Sequence, residues 1–113
     1  MSPSSRDWRL YADDIIEACG KIRRFTAGMS FESFVSDERT CDAVIRNLEV
    51  IGEAAKNLPT DVTARASEVE WRKIRGMRDI LAHGYFGLEV KVVWSTVTTK
   101  LDALESAVRK LLA

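Results

Sequence analysis

Residues 90–99, with the sequence VKVVWSTVTT, decide the fold class of this chain. Most of them are β-branched, and read alone they favour a strand. Their apolar residues, however, recur every three or four positions, and the stripe continues into residues 101–112 as it does in amphipathic helices. No second segment is a strand candidate that could pair with a lone strand. We therefore predict one helix over residues 88–112.

Three more amphipathic helices are predicted from the same apolar spacing, over residues 8–26, 38–58 and 71–83. The first stripe is expected to run from Trp8 to Phe25. A short helical turn at residues 30–35 is expected to lay Phe31 and Phe34 over the core. The sequence thus predicts an all-α fold, an antiparallel bundle of four to five helices in a single domain of residues 1–113.

The predicted helix starts carry capping residues. Ser4-x-x-Asp7 and Ser67-x-x-Glu70 have the form of capping boxes, and Asp37 can cap the second long helix. Residues 59–67 form a connector with a possible short helix. The third long helix is expected to break at His83-Gly84, because glycine is favoured just past a helix end.

The composition narrows the class of partners. The 113 residues include seventeen basic and seventeen acidic side chains, so no global charge favours nucleic acid or a membrane. Cys19 and Cys41 fall on apolar stripes without the spacing of a zinc site or a disulfide framework, so we expect buried free thiols and no cofactor. No run resembles a signal peptide or reaches the ~20 apolar residues of a membrane span. We expect a cytoplasmic protein with no membrane partner.

Residues 77–86, with the sequence MRDILAHGYF, hold the only histidine. His83 can act as an acid and a base near neutral pH, although a lone histidine is often only structural. Asp79 is four residues before His83 and could orient its ring. Arg78, five residues before His83, points roughly 140° away from it on an ideal helix. The two converge only if the helix is distorted near Gly84 or if a second copy of the chain completes the site.

Two other groups of residues are candidates for a functional role. Residues 72–78 supply four positive charges, which form either a solvated face or the strongest local anion-binding candidate. Gly52 in the second long helix is best explained by close helix packing. Arg46 and Glu53 lie seven residues apart and so share one helix face, which is either solvated surface or part of the site.

Arg78, His83 and Tyr85 resemble the Arg-x4-His-x-Tyr signature of the HEPN superfamily (higher eukaryotes and prokaryotes nucleotide-binding), and specifically its HepT-like branch. The resemblance covers nearly the whole chain. Residues 7–11 (DWRLY), 25–29 (FTAGM), 44–55 (VIRNLEVIGEAA) and 77–86 are all similar to that branch in the same order.

This resemblance implies the toxin of a prokaryotic toxin–antitoxin pair, an endoribonuclease that works without metal. Arg78 and His83 would be catalytic. A minimal nucleotidyltransferase antitoxin of the MntA type would silence the toxin by transferring AMP to Tyr85. Asp79 stands where the family often has Asn, and its carboxylate could either orient His83 or repel a phosphate.

The residue inventory suggests how RNA would be cut. One chain offers one histidine, whereas metal-free cleavage needs a base for the 2′-hydroxyl and an acid for the leaving oxygen. A two-fold homodimer with the motif at its axis, as the resemblance implies, would supply two histidines and two arginines. We expect Glu53 to face this cleft as a supporting residue. The alternative is an inactive HEPN bundle that serves as a scaffold partner of a nucleotidyltransferase, in which His83 and Tyr85 hold the dimer together.

Overall fold

The computed structural model describes residues 6–83 and 88–113, and the side chains of residues 6–77 and 90–113. Over these residues the chain forms helices and no strand, which confirms the all-α bundle. The helices are α1 (Trp8–Thr26), α2 (Phe31–Val35), α3 (Glu38–Lys56), α4 (Thr60–Thr63), α5 (Trp71–His83), α6 (Leu88–Thr99) and α7 (Leu101–Leu112), with a 3-10 turn at Ala64–Ala66.

Side-chain caps begin the two longest helices. Asp37 accepts a hydrogen bond from the Thr40 backbone N–H at 3.0 Å, which confirms it as the cap of α3. The expected capping box of Ser4 and Asp7 is wrong, because Asp7 is itself the N-cap and accepts from the Arg9 N–H at 2.9 Å. The box of Ser67 and Glu70 is wrong as well, since α5 begins only at Trp71.

The core lies where α1 packs on α3 and α7, and α3 on α5. The predicted stripes of α1 and α3 are buried, and the fully buried residues with the largest side chains are Phe34, Ile15, Ile22, Leu48 and Ile51. Phe34 from α2 packs on Trp94 of α6 with ring centroids 4.9 Å apart, and Phe31 is 6.4 Å from the same ring. This confirms that α2 covers the core.

Phe25 is an exception to the predicted stripe. Its side chain is 41% exposed, whereas Ile22 is fully buried and Thr26 is half-buried. The stripe therefore advances from Ile22 by four residues to Thr26, and the Thr26 hydroxyl donates to the Ile22 carbonyl at 2.8 Å. Either step, three or four residues, is compatible with helical spacing, and the packing selects the four-residue step.

The predicted helix over residues 88–112 is interrupted at Lys100, where α6 ends and α7 begins. Threonine hydroxyls at the end of α6 donate back to carbonyls one turn earlier, from Thr98 to Trp94 at 2.9 Å and from Thr99 to Ser95 at 2.6 Å. Such bonds compete with the helical ladder and bend helices. The β-branched stretch thus remains helical but ends in a break that the apolar stripe did not indicate.

Candidate functional site

The residues of the HEPN-like motif belong to the C-terminal half of α5 and the segment after it. Arg78, Asp79 and His83 lie on the continuous helix Trp71–His83, which ends where the sequence predicted. Their side chains, and Tyr85 entirely, lie outside the described residues. Because the backbone is helical from Arg78 to His83, their Cα positions are roughly 140° apart around the axis, while Asp79 and His83 share a side.

The buried face of α5 fixes how this helix presents the motif. Trp71, Ile74 and Met77 are buried, as predicted, and α5 packs against α3 through this part of the bundle. Burying one apolar side of α5 leaves its other positions directed away from the core. The helix is thus held from Trp71 to Met77 immediately before Arg78.

Basic side chains precede the motif on α5. Arg72 and Lys73 are exposed and Arg75 is half-buried. Lys73 pairs with Glu70 at 2.9 Å, and within the described part of the chain no carboxylate forms an ion pair with Arg72 or Arg75.

On α3, Gly52 is buried, which agrees with its predicted role in close packing. Arg46 and Glu53 are both exposed, as expected for residues that share one face. The Asn57 side-chain amide donates to the Glu53 carbonyl at 2.9 Å near the end of α3. Whether Glu53 faces the motif stays a prediction, because the motif side chains are among those not described.

The two cysteines are free and buried, as the sequence predicted. Burial raises the pKa of the Cys19 thiol to about 12, so this thiol stays protonated near neutral pH and is a poor nucleophile. Burial also raises the pKa of Cys41, whose Sγ lies 3.0 Å from the Phe34 carbonyl oxygen. Both thiols behave as core residues.

The described residues contain no group of three or more His, Cys, Asp or Glu side chains that could hold a metal ion. The same residues include no helix long and apolar enough to cross a bilayer.

One cluster was not found from the sequence. Arg6, Trp8, Arg9, Tyr11 and Arg65 together form what we call the arginine–aromatic cluster. The Cζ atoms of Arg9 and Arg65 lie 5.0 Å and 5.7 Å from the Trp8 ring centroid, and that of Arg6 lies 4.4 Å from the Tyr11 centroid. Arg6, Trp8, Arg9 and Tyr11 are close together in the sequence, but Arg65 joins the cluster only through the fold.

Comparison with known proteins gives the family. The model of the family "Ribonuclease HepT-like" matches residues 15–111. A protein of Thermococcus cleftensis named "Probable ribonuclease HepT" is 44% identical over 98% of both chains. A protein of Caldanaerobacter subterraneus named "Putative RNase" is 40% identical over 92% of this chain and 93% of its own length. A "Putative RNase" of Methanocaldococcus jannaschii is 43% identical over 85% of this chain and 79% of its own length. No solved structure gives a significant match.

The chain belongs to the HepT-like ribonuclease family. This membership confirms the resemblance read from the sequence and the predicted ribonuclease class.

Proposed function

We propose that this chain is the toxin of a prokaryotic toxin–antitoxin pair, a metal-independent endoribonuclease that acts in the cytoplasm as a homodimer and folds as one domain of residues 1–113. The observation that carries the proposal is the Arg78-x4-His83-x-Tyr85 motif in a chain of the HepT-like ribonuclease family. Arg78 and His83 are the proposed catalytic residues.

The chemistry needs two copies of the chain. The 2′-oxygen attacks phosphorus and the bond to the leaving 5′-oxygen breaks, so one proton must be removed and another supplied. His83 of one copy takes the proton of the 2′-hydroxyl, and the partner's His83 gives a proton to the 5′-oxygen. The two Arg78 guanidinium groups stabilise the charge that develops on the phosphoryl oxygens. The roughly 140° between Arg78 and His83 on one helix supports an arrangement in which each copy contributes part of the site.

Asp79 and Glu53 are proposed as supporting residues. Asp79 shares a side of α5 with His83, where a carboxylate favours the protonated imidazole. Glu53 is proposed to face the cleft from α3.

The proposed regulator is a minimal nucleotidyltransferase of the MntA type, which transfers AMP from ATP to Tyr85. The Tyr85 hydroxyl oxygen bonds to the α-phosphorus, and the bond to the β-phosphate breaks and releases pyrophosphate. The attached phosphate would bring negative charge to the place where the RNA backbone binds. Incubating the chain with this enzyme and ATP should add the mass of one AMP to wild type and none to Tyr85→Phe. Modification of Tyr85→Phe to the same extent would contradict this assignment.

The decisive experiment measures cleavage of total RNA and tRNA in EDTA by AMP-free wild-type protein. His83→Ala and Arg78→Ala should abolish cleavage while light scattering shows intact dimers. Arg39→Ala is the matched control, because it removes one exposed arginine from the start of α3 to which the proposed chemistry assigns no role. Absence of cleavage by an AMP-free wild-type dimer would overturn the proposal in favour of the scaffold alternative.

A further inference from the structure

The arginine–aromatic cluster has no part in the chemistry assigned to Arg78 and His83. We propose that it binds a single-stranded segment of the RNA substrate, several nucleotides from the bond that is cut. This inference rests on the proposed ribonuclease function and adds a second RNA contact to it.

The side chains of the cluster fit the two parts of a single strand. Guanidinium groups bind phosphates in a forked geometry and stack on bases, and the faces of Trp and Tyr accept stacked bases. Arg9 and Arg65 place their guanidinium groups near the half-buried Trp8 ring, so a phosphate bound by these groups would lie beside an aromatic side chain. A duplex is a poorer ligand, because its bases are already stacked against one another.

Arg65 should contribute most of the charge. Arg6 pairs with Asp14 at 2.9 Å, and Arg9 lies 3.5 Å from Asp7, so each has a carboxylate that competes with phosphate. Within the described residues Arg65 has no such partner, and it is exposed. In a chain with no net charge, RNA affinity depends on local groups of this kind.

The turn that carries Arg65 is held in place without a ligand. The Trp71 indole N–H donates to the Ala66 carbonyl at 3.0 Å, and Trp71 is only 6% exposed. Val62 and Ala66 on either side are buried as well. Binding therefore orders little of the backbone, which reduces the entropic cost of taking up RNA.

The cluster is also at a suitable distance from the motif. Trp71 begins α5 beside the turn of Arg65, whereas Arg78 and His83 lie about 10 Å and 18 Å further along the helix axis at ~1.5 Å per residue. Arg72, the residue after Trp71, is exposed on the same helix. A single strand of several nucleotides is long enough to span the distance along α5.

The test measures binding of a short fluorescein-labelled single-stranded RNA, and of the matched duplex, by fluorescence anisotropy. All proteins carry His83→Ala so that the RNA is not cut. Arg65→Gln and Trp8→Leu should each weaken single-strand binding about five-fold or more, and Trp8→Phe should restore most of the affinity because it keeps an aromatic face. Arg65→Gln should also lower the slope of log affinity against log salt by about 0.7, the value for one lost phosphate contact on a single strand.

Arg24→Gln is the matched control, because it removes an exposed arginine from the opposite end of α1. The proposal is overturned if Arg65→Gln weakens binding no more than Arg24→Gln, or if the duplex loses as much affinity as the single strand. If circular dichroism shows that Trp8→Leu does not fold, Arg65→Gln decides alone, since it alters only an exposed side chain.

This result is separable from the catalytic proposal. Unchanged binding by Arg65→Gln, together with cleavage that depends on His83, would overturn the cluster alone. Weakened binding by Arg65→Gln, without any cleavage by a chain that retains His83, would support the cluster and overturn the ribonuclease mechanism.

Discussion

Replacing Glu105 by Gln tests which part of an ion-pair network holds α7 against α1. Arg23 on α1 donates through Nη2 to Asp102 at 2.8 Å and to Glu105 at 2.9 Å on α7, and Arg109 Nε donates to Glu105 at 2.9 Å. The distances are nearly equal, but the Asp102 side chain is 92% exposed and that of Glu105 only 15%. Water therefore screens one carboxylate far more than the other.

The exposures give the expected magnitudes. Glu105→Gln should lower the free energy of unfolding by about 1–2 kcal/mol, discounted for the half-exposed Arg23. The amide keeps one acceptor oxygen, but it removes the negative charge and turns an NH2 group toward the other arginine. In a chain of this size that corresponds to a fall in Tm of about 4–8 °C. Asp102→Asn, the matched control, should cost less than about 0.5 kcal/mol.

Urea and thermal unfolding at pH 7, at one fixed protein concentration, measure both variants. If Asp102→Asn destabilises the protein as much as Glu105→Gln, the argument from burial is wrong.

The pH dependence of the free energy of unfolding tests the same role of Glu105. Burial alone would raise the pKa of Glu105, but hydrogen bonds from Arg109 and Arg23 outweigh it and hold that pKa below its ordinary value. A lowered folded-state pKa adds stability above the unfolded-state pKa of about 4.3, and this stability is lost as the pH falls through the folded-state pKa. The difference between wild type and Glu105→Gln should therefore shrink below about pH 4.3.

Two further predictions concern the core. Phe34→Ala should lower the free energy of unfolding by about 3–5 kcal/mol, because it leaves a cavity against Trp94. Val35→Ala, at the neighbouring position that is 46% exposed, is the control and should cost far less. Urea unfolding compares the two variants, and equal losses would contradict the packing of α2. Cys19 should resist iodoacetamide at pH 8 in the native protein and should react once the protein is unfolded in urea. Peptide mass mapping measures the extent of alkylation. Rapid alkylation of the native protein would show that the thiol is not buried and that its pKa is not raised to about 12.

Most of the fold could be predicted from the sequence, because helix formation and burial depend on neighbours three and four residues away. The bounds of α1, the Asp37 cap and the buried stripe of α3 were all predicted. The break at Lys100 was not predicted, because the apolar stripe continues through it, and only the structure shows that threonine hydroxyls next to it donate to carbonyls one turn earlier.

The candidate site, like the fold, could be predicted only in part from the sequence. The order of Arg78, His83 and Tyr85 along the chain indicated the family, and the spacing of Arg78 and His83 on one helix led to the proposal of a dimer. No local pattern indicates that Arg65 lies over Trp8.

Residue type and short spacing were sufficient to predict the helical class, most of the buried faces and the motif of the family, because these features depend on near neighbours in the chain. Which charged side chains meet depends instead on the tertiary packing of the helices. Arg23 reaches Glu105 across 82 positions of the chain, and the 3-10 turn brings Arg65 to Trp8. Such pairs depend on how far each helix is rotated and shifted along its neighbour, and side-chain packing sets both quantities.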